Sequence, residues 1–353
     1  MRAVGAPTRA SRRREFPTAP HLTGRDGEML KYIARRILQM IPVFVGVTLI
    51  LFILRAPGVL PGDPVRMITG ERAISEELRA QIVSKHALDQ PLHTQYVIYL
   101  QNLVQGDLGE SYQRGRPVID ILAEKFPNTL RLALAGILVE VILGLTAGII
   151  SAVRQYSFMD VLVTLSTSVL VSVPVFWLGM LFQIFFGLKL KEWTGGAFYL
   201  PISQMSSANF PDWVHLILPA ITLASVSTAY VARIMRSQML EAMGQDYIRT
   251  ARAKGLSNRA VTFRHALKNA LIPVVTFIGI DFGVMMSGAI LTETVFSWPG
   301  VGREIFLAVG QRDWPIVMGG VIIIVFVVMV INLLVDLSYA LLDPRIRYGG
   351  ATE

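Results

Sequence analysis

The sequence predicts an all-α membrane protein: six transmembrane helices, both termini cytoplasmic, and a helical extracellular insertion between helices 1 and 2. Three observations carry that expectation. Of 353 residues, 53% are hydrophobic and only 16% charged, against about 25% charged in ordinary soluble domains. Apolar stretches long enough to cross a hydrocarbon core, which takes about 20 helical residues, fall near 32–54, 130–153, 161–188, 214–235, 270–291 and 314–342. Lys and Arg also crowd one side: fourteen flank the span ends there, eight of them between Arg233 and Lys268, while the opposing short loops hold Lys189, Lys191, Arg303 and Arg312. The positive-inside rule makes the crowded side cytoplasmic.

The net charge of +8 then belongs to cytoplasmic loops rather than to a nucleic-acid surface. Cysteine is absent, which excludes disulfides, thiolate metal sites and cysteine nucleophiles together. The five histidines, at 21, 86, 93, 215 and 265, show no metal-ligand spacing, so no metal site and no catalytic residue is assigned.

Taken in order, residues 1–28 hold six Arg with Pro and Gly and no apolar periodicity, and read as a disordered basic tail before a transmembrane domain over 29–353. Arg12-Arg13-Arg14 brushes against a twin-arginine signal, but Pro17 to Glu28 supplies no apolar core, so the first span reads as a retained anchor. The insertion, 55–127, opens on the turn formers Pro61-Gly62-Asp63-Pro64, carries helical patterns over Ser75–Lys85 and Thr94–Val104, and reaches Gly106-Asp107-Leu108-Gly109. Small residues four apart in the second span (Gly144, Gly148) and the fifth (Gly279, Gly283) allow close helix approach. The fourth span, with Pro219, Ser225, Ser227 and Thr228, suits the inside of a bundle better than lipid.

The cytoplasmic segment 237–269 is the most informative. Asp246, Tyr247, Ile248, Arg249, Thr250, Ala251, Arg252, Ala253, Lys254, Gly255 and Leu256 place acid at the start of a short helix, base along it and glycine at its end. A second helix can start at Ser257 or Asn258 and run toward Ala270. A solvated positive loop explains the charge but not the caps.

Two groups of polar or aromatic residues remain. Glu140 and Asp281 lie within spans, and Asp336 lies toward the cytoplasmic end of the last one. Carboxylates at such depth cost about 3 kcal/mol or more, so each faces the bundle or a watery cavity, either bonded between helices or lining a pathway. Met285, Met286 and Ser287 follow Asp281 and form either a polarizable pathway wall or ordinary core. In the outer loop 292–316, Glu293, Phe296, Trp298 and Pro299 suit either an interfacial anchor or an outer gate.

Together the residues resemble the permease subunits of ATP-binding-cassette importers, in the branch for dipeptides, oligopeptides and nickel. The likeness runs from about Met29 to Tyr348 and rests on Pro61-Gly62-Asp63-Pro64, Leu88-Asp89-Gln90-Pro91, Gly106 to Gly109, the Tyr247–Leu256 run, His265 to Ala270, Pro273, Glu293 to Gly302, and Asn332 to Asp336. The resemblance implies that the short basic helix is the coupling helix docking into a cleft of an ATPase subunit, with Gly255 at the family's glycine. Arg249-Thr250-Ala251 stands where the general pattern has Glu-Ala-Ala, and Pro273 lies 18 residues beyond Gly255. Ala251, Ala253 and Gly255 are expected to let the helix seat deeply, while Arg249, Arg252 and Lys254 pair with acids.

The chain carries no Gly-x-x-x-x-Gly-Lys-Ser/Thr run, so ATP and Mg are expected in partner ATPase subunits and no cofactor in this chain. The implied partners are a second homologous permease, two ATP-binding subunits, an extracellular or periplasmic substrate-binding protein and the bilayer of a bacterial inner membrane, with no nucleic acid. Two rivals stay open: an intramembrane enzyme using Glu140 and Asp281 for acid–base work, and a passive channel.

Overall fold

A computed structural model describes residues 23–55, 65, 75–85 and 87–342. Residues 1–22 of the expected tail and the Pro61-Gly62-Asp63-Pro64 turn lie outside the described residues. Among the described residues every regular element is helical, beside two isolated bridges. Five helices among the described residues are long and apolar enough to cross a membrane, or six if one sharply bent pair counts as a single span.

Helix α1 spans Thr23–Arg55, so residues 23–28 of the expected tail join the first helix. Its most apolar stretch is only 11% buried, leaving Leu38, Val43 and Ile50 exposed as a lipid-facing helix requires. Near its other end it meets the insertion, which contains α2 (Glu76–Lys85) and α3 (Leu92–Val104). Helix α3 lies against α1 instead of standing clear of it. The Tyr96 ring sits 5.2 Å from that of Phe52, and its hydroxyl donates to the Val45 carbonyl at 3.1 Å.

The chain leaves α3 through Gly106 and Gly109, both at φ +81, and enters α4 (Val118–Val153). That helix begins well before the apolar run expected to open at residue 130, and Pro127 lies inside it. The extra turns form because Val118, Ile121 and Leu122 are fully buried in a cluster with Val301, Ile305 and Ile316.

The third apolar stretch, expected as one rod over 161–188, is two helices: α5 (Phe158–Ser172) and α6 (Val175–Phe182), the latter running on through a π-helical stretch, Gln183–Lys189, to Trp193. The two axes bend by 109°. Pro174 explains the break, since it has no N–H for the preceding turn and forces Val173 into extended backbone (φ −97, ψ 128).

Helix α7 (Ile217–Met243) is the centre of the bundle, with 61% of its most apolar stretch buried. Glycines let α4 pack closely on it: a Cβ at Gly144 would stand 2.7 Å from Val231 Cγ1, and one at Gly148 would stand 2.6 Å from the Ala232 carbonyl. These are the close approaches the four-residue spacing predicts. After α8 (Asp246–Ala253), the chain passes a short helical turn, Asn258–Ala260, and a π-helical stretch, Val261–Ala266, directly into α9 (Leu267–Val295). Gly279 of α9 packs likewise on Val335 of the last helix, where a Cβ would meet Cγ2 at 3.0 Å. Helix α10 (Val301–Gly310) and helix α11 (Trp314–Leu342) complete the chain. Asp336 of α11 meets Arg36 of α1, Oδ2 to Nε, at 2.5 Å, an interhelical pair.

Candidate functional site

Three groups of residues stand out: a basic hairpin at one end of α7, a polar latch at the other, and two acids between.

The hairpin is capped at Gly255 and at Ser257. Gly255 takes φ +79, its N–H donates to the Arg252 carbonyl at 2.9 Å and the Leu256 N–H reaches back to Ala251 at 3.3 Å, the paired bonds of a Schellman ending. Ser257 then caps the next helix, its Oγ accepting from the Ala260 N–H at 3.3 Å. Ile248 and Ala251 are buried in one cluster with Met235, Met239 and Ala242 of α7 and Ala266 and Ala270 at the head of α9. Helix α8 is thereby packed on two long helices at once. Tyr247, Arg249, Thr250, Arg252, Ala253, Lys254, Gly255 and Leu256 face outward. Ala251 does not: it packs inward, so the expectation that it helps the helix seat in a partner is corrected, while Ala253 and Gly255 remain available. Asp246 pairs with Arg249 at 3.2 Å, both well exposed, a contact that adds little stability.

Just above the hairpin is a buried network that spacing alone does not reveal. Arg236 of α7 grips Asp160 of α5 with two parallel bonds, Nε to Oδ1 and Nη2 to Oδ2, each 2.8 Å, and Ser151 of α4 joins both. Asp160 also accepts from the Tyr156 N–H at 2.9 Å. This bidentate ion pair ties three helices together about two turns before α7 ends.

At the opposite end, Glu293 is fully buried. Thr129 Oγ1 of α4 donates to its Oε1 at 2.6 Å and itself accepts from the Val301 N–H at 2.8 Å, while the Arg303 N–H donates to Oε2 at 2.9 Å. Burial lifts the Glu293 carboxyl to about 7, against the opposing pull of the Thr129 and Arg303 donors. Trp298 donates from Nε1 to the Asn128 carbonyl, and Asn128 Nδ2 returns a bond to the Pro299 carbonyl, both 2.9 Å. Phe296 and Trp298 are 1% and 2% exposed, so these aromatics sit in the protein core and not at a lipid interface. Two glycines permit the arrangement: a Cβ at Gly300 would fall 2.0 Å from Glu293 Oε1, and one at Gly302 would fall 2.6 Å from the Ile290 Cα. The insertion is fastened here as well. Ser111 Oγ and the Tyr112 and Gln113 N–H groups bond Asp313, and Arg114 pairs with Glu304.

Between these ends, Glu140 and Asp281 are 0% and 7% exposed. Glu140 shares a face of α4 with Gly136 and Gly144, the face packed on α7. Neither Glu140 oxygen, nor Asp281 Oδ2, has a hydrogen-bond partner among the described residues, so the expected interhelical hydrogen bond is not made by Glu140. Asp281 and Met285 line an open cavity of about 490 Å³. Met286 does not line it and packs in the core beside Leu132 and Trp298, and Ser287 donates to the Val284 carbonyl of its own helix at 2.8 Å.

Residues 144–348 match the model of the family described as binding-protein-dependent transport system inner membrane component, and residues 29–133 match that family's N-terminal membrane component. A di/tripeptide transport system permease of Pseudomonas aeruginosa, DppB, is 41% identical, covering 91% of this chain and 99% of its own. The dipeptide transport system permease DppB of Escherichia coli K12 is 39% identical over the same shares. The oligopeptide transport system permease AppB of Bacillus subtilis is 38% identical, covering 91% of this chain and all of its own.

Proposed function

The chain belongs to the family of binding-protein-dependent transport system inner membrane components, a multi-pass permease subunit and not an enzyme, and from that premise we propose how it works. It forms one half of a translocation pathway in a bacterial inner membrane, completed by a second, similar permease. An external binding protein delivers the cargo, and two ATP-binding subunits supply ATP hydrolysis with Mg. The peptide relatives favour small peptides as that cargo. Counting α5 and α6 as one crossing gives six spans, an even number that returns both termini to the side of the basic hairpin, with the insertion outside.

The observation that carries this reading is the hairpin itself. Helix α8 is short, capped at its end, wedged between the end of α7 and the head of α9, and turns a basic surface outward. A motor pushing on it moves two long helices as a body, because close-packed contacts transmit displacement that a flexible loop would absorb. The Arg236–Asp160 grip extends that body to α4 and α5. The Glu293 latch, at the far ends of α4 and α9, is where an outer gate would be held shut. Asp246 and Tyr247 through Leu256 are then the ATPase-coupling surface, save for Ile248 and Ala251, which hold it to the bundle.

The test separates docking from local strain. Gly255 has open space where a Cβ would go, but its φ of +79 makes any side chain costly by about 1 kcal/mol. In proteoliposomes holding the complete complex, Gly255→Ala should therefore retain most ATP-dependent uptake, whereas Gly255→Trp should abolish it by blocking the cleft. Full uptake by Gly255→Trp would refute the docking role.

A further inference from the structure

Asp281 is a carboxyl that its own chain leaves incomplete. It is nine-tenths buried, its Oδ2 has no partner among the described residues, and it opens into the cavity between α6, α7 and α9. Leaving a buried carboxyl oxygen unpaired in a largely apolar wall is costly, and a charged group within a span marks a functional position. The cavity, about 490 Å³, is walled by Val175, Leu223, Phe277 and Met285, with Ser227 and Tyr230 as its other polar groups. That volume and chemistry suit a small ligand, mostly apolar, carrying one cationic group. Among the described residues neither Lys nor Arg lines the cavity. The Tyr230 and Phe277 rings lie 6.2 Å apart, centroid to centroid, and offer π-faces on which an ammonium is also stabilised.

We propose that Asp281 is a recognition residue for the free α-ammonium of a peptide in transit, with Tyr230 and Phe277 beside the ammonium and the Met285 side of the cavity accommodating varied apolar side chains. This deepens the permease reading above and rests on it. An ammonium in the cavity beside Asp281 neutralises the carboxylate, a charge-assisted contact. Methionine adapts its shape at little cost, which suits a site that must pass many sequences. Glu140, fully enclosed, does not line the cavity. An N-acylated peptide, having no ammonium, gains none of this.

The experiment uses the assembled complex of both permeases and the ATPase subunits in lipid nanodiscs, without the external binding protein, so that selection by that protein does not enter. Tritiated Ala-Phe is the probe and N-acetyl-Ala-Phe the competitor. Saturable binding is expected that unlabelled Ala-Phe displaces and N-acetyl-Ala-Phe does not. Asp281→Asn should weaken it by at least about tenfold, the loss of one charge-assisted bond, and Asp281→Glu should restore most of it. Equal competition by the acetylated peptide in the unaltered complex, undiminished binding by Asp281→Asn, or no saturable binding at all overturns the proposal. ATP-driven uptake by the unaltered complex, measured with the binding protein added, reports on the permease reading separately. Peptide uptake without any preference at Asp281 removes only the recognition role, and absence of peptide uptake removes the reading beneath it.

Discussion

Replacing Gly302 by alanine should loosen the latch by a calculable amount. The new Cβ would stand 2.6 Å from the Ile290 Cα and 2.9 Å from its nitrogen. Carbon atoms in contact keep about 3.5 to 4.0 Å apart, so the start of α10 must retreat from α9 by about 1 Å. The obstacle is backbone, so no side-chain rotation relieves it. A retreat of that size stretches the neighbouring Val301 N–H to Thr129 and Arg303 N–H to Glu293 bonds, now 2.8 and 2.9 Å, beyond useful length. Each leaves a buried group short of a partner at about 1 to 3 kcal/mol, for a total of about 2 to 6 kcal/mol, or roughly 30- to 20,000-fold in the local opening equilibrium. Hydrogen exchange of the amides of residues 301–304 reads this directly. Gly310→Ala, at the other end of the same helix with nothing within 4 Å of the added methyl, is the control and should leave protection unchanged or improved. Equal exchange in Gly302→Ala and Gly310→Ala would refute the claim that the close approach holds the latch.

Two further outcomes follow from the same packing. Because burial raises the Glu293 carboxyl from an ordinary 4.5 to about 7, the folded protein holds this proton more tightly than the unfolded chain; stability is therefore greatest below pH 4.5 as far as this group is concerned, and falls as pH rises through 7, by up to about 3 kcal/mol. Thermal unfolding from pH 5 to 7.5 should show that decline, Glu293→Gln should flatten it, and an identical profile in the variant would contradict it. Arg236→Met strands Asp160, whose side chain is 6% exposed against 30% for Arg236; the loss should be about 3 kcal/mol, at the low end for a broken buried pair because the arginine is partly solvated. Adding Asp160→Asn should recover part of it in a double-mutant cycle read by thermal unfolding, and additive losses would show that the two residues do not act as a pair.

Legibility in the sequence followed the range of the interaction. Most of the long apolar helices, the glycine contacts of α4 and the hairpin could be read because their determinants are local: apolar length, a four-residue spacing, and the Gly255 and Ser257 cap signals. The bend within the third apolar stretch was visible only as Pro174, hidden in a run whose composition is continuous across it. The inward face of Ala251 was not legible, since the small residues of the hairpin look alike until Ile248 and Ala251 are seen packing on α7. The latch and the ion pair were out of reach for a different reason. Thr129 and Glu293 lie 164 residues apart, and Asp160 and Arg236 lie 76 apart, so the bundle must close before either pair exists. The sequence places Glu140 and Asp281 within apolar spans, but only the packed structure shows that one is sealed in and the other lines a cavity.

The central claim is that the outward face of α8 is where a separate motor takes hold. The chain contains no cysteine, so a spin label at Thr250→Cys, on that exposed face, reports from one place only. On addition of the ATP-binding subunits the label should become immobilised, and a control label at Gln113→Cys, in the segment bound to Asp313 at the opposite end, should not change. A Thr250 label that stays equally mobile in the active, assembled transporter would contradict the account.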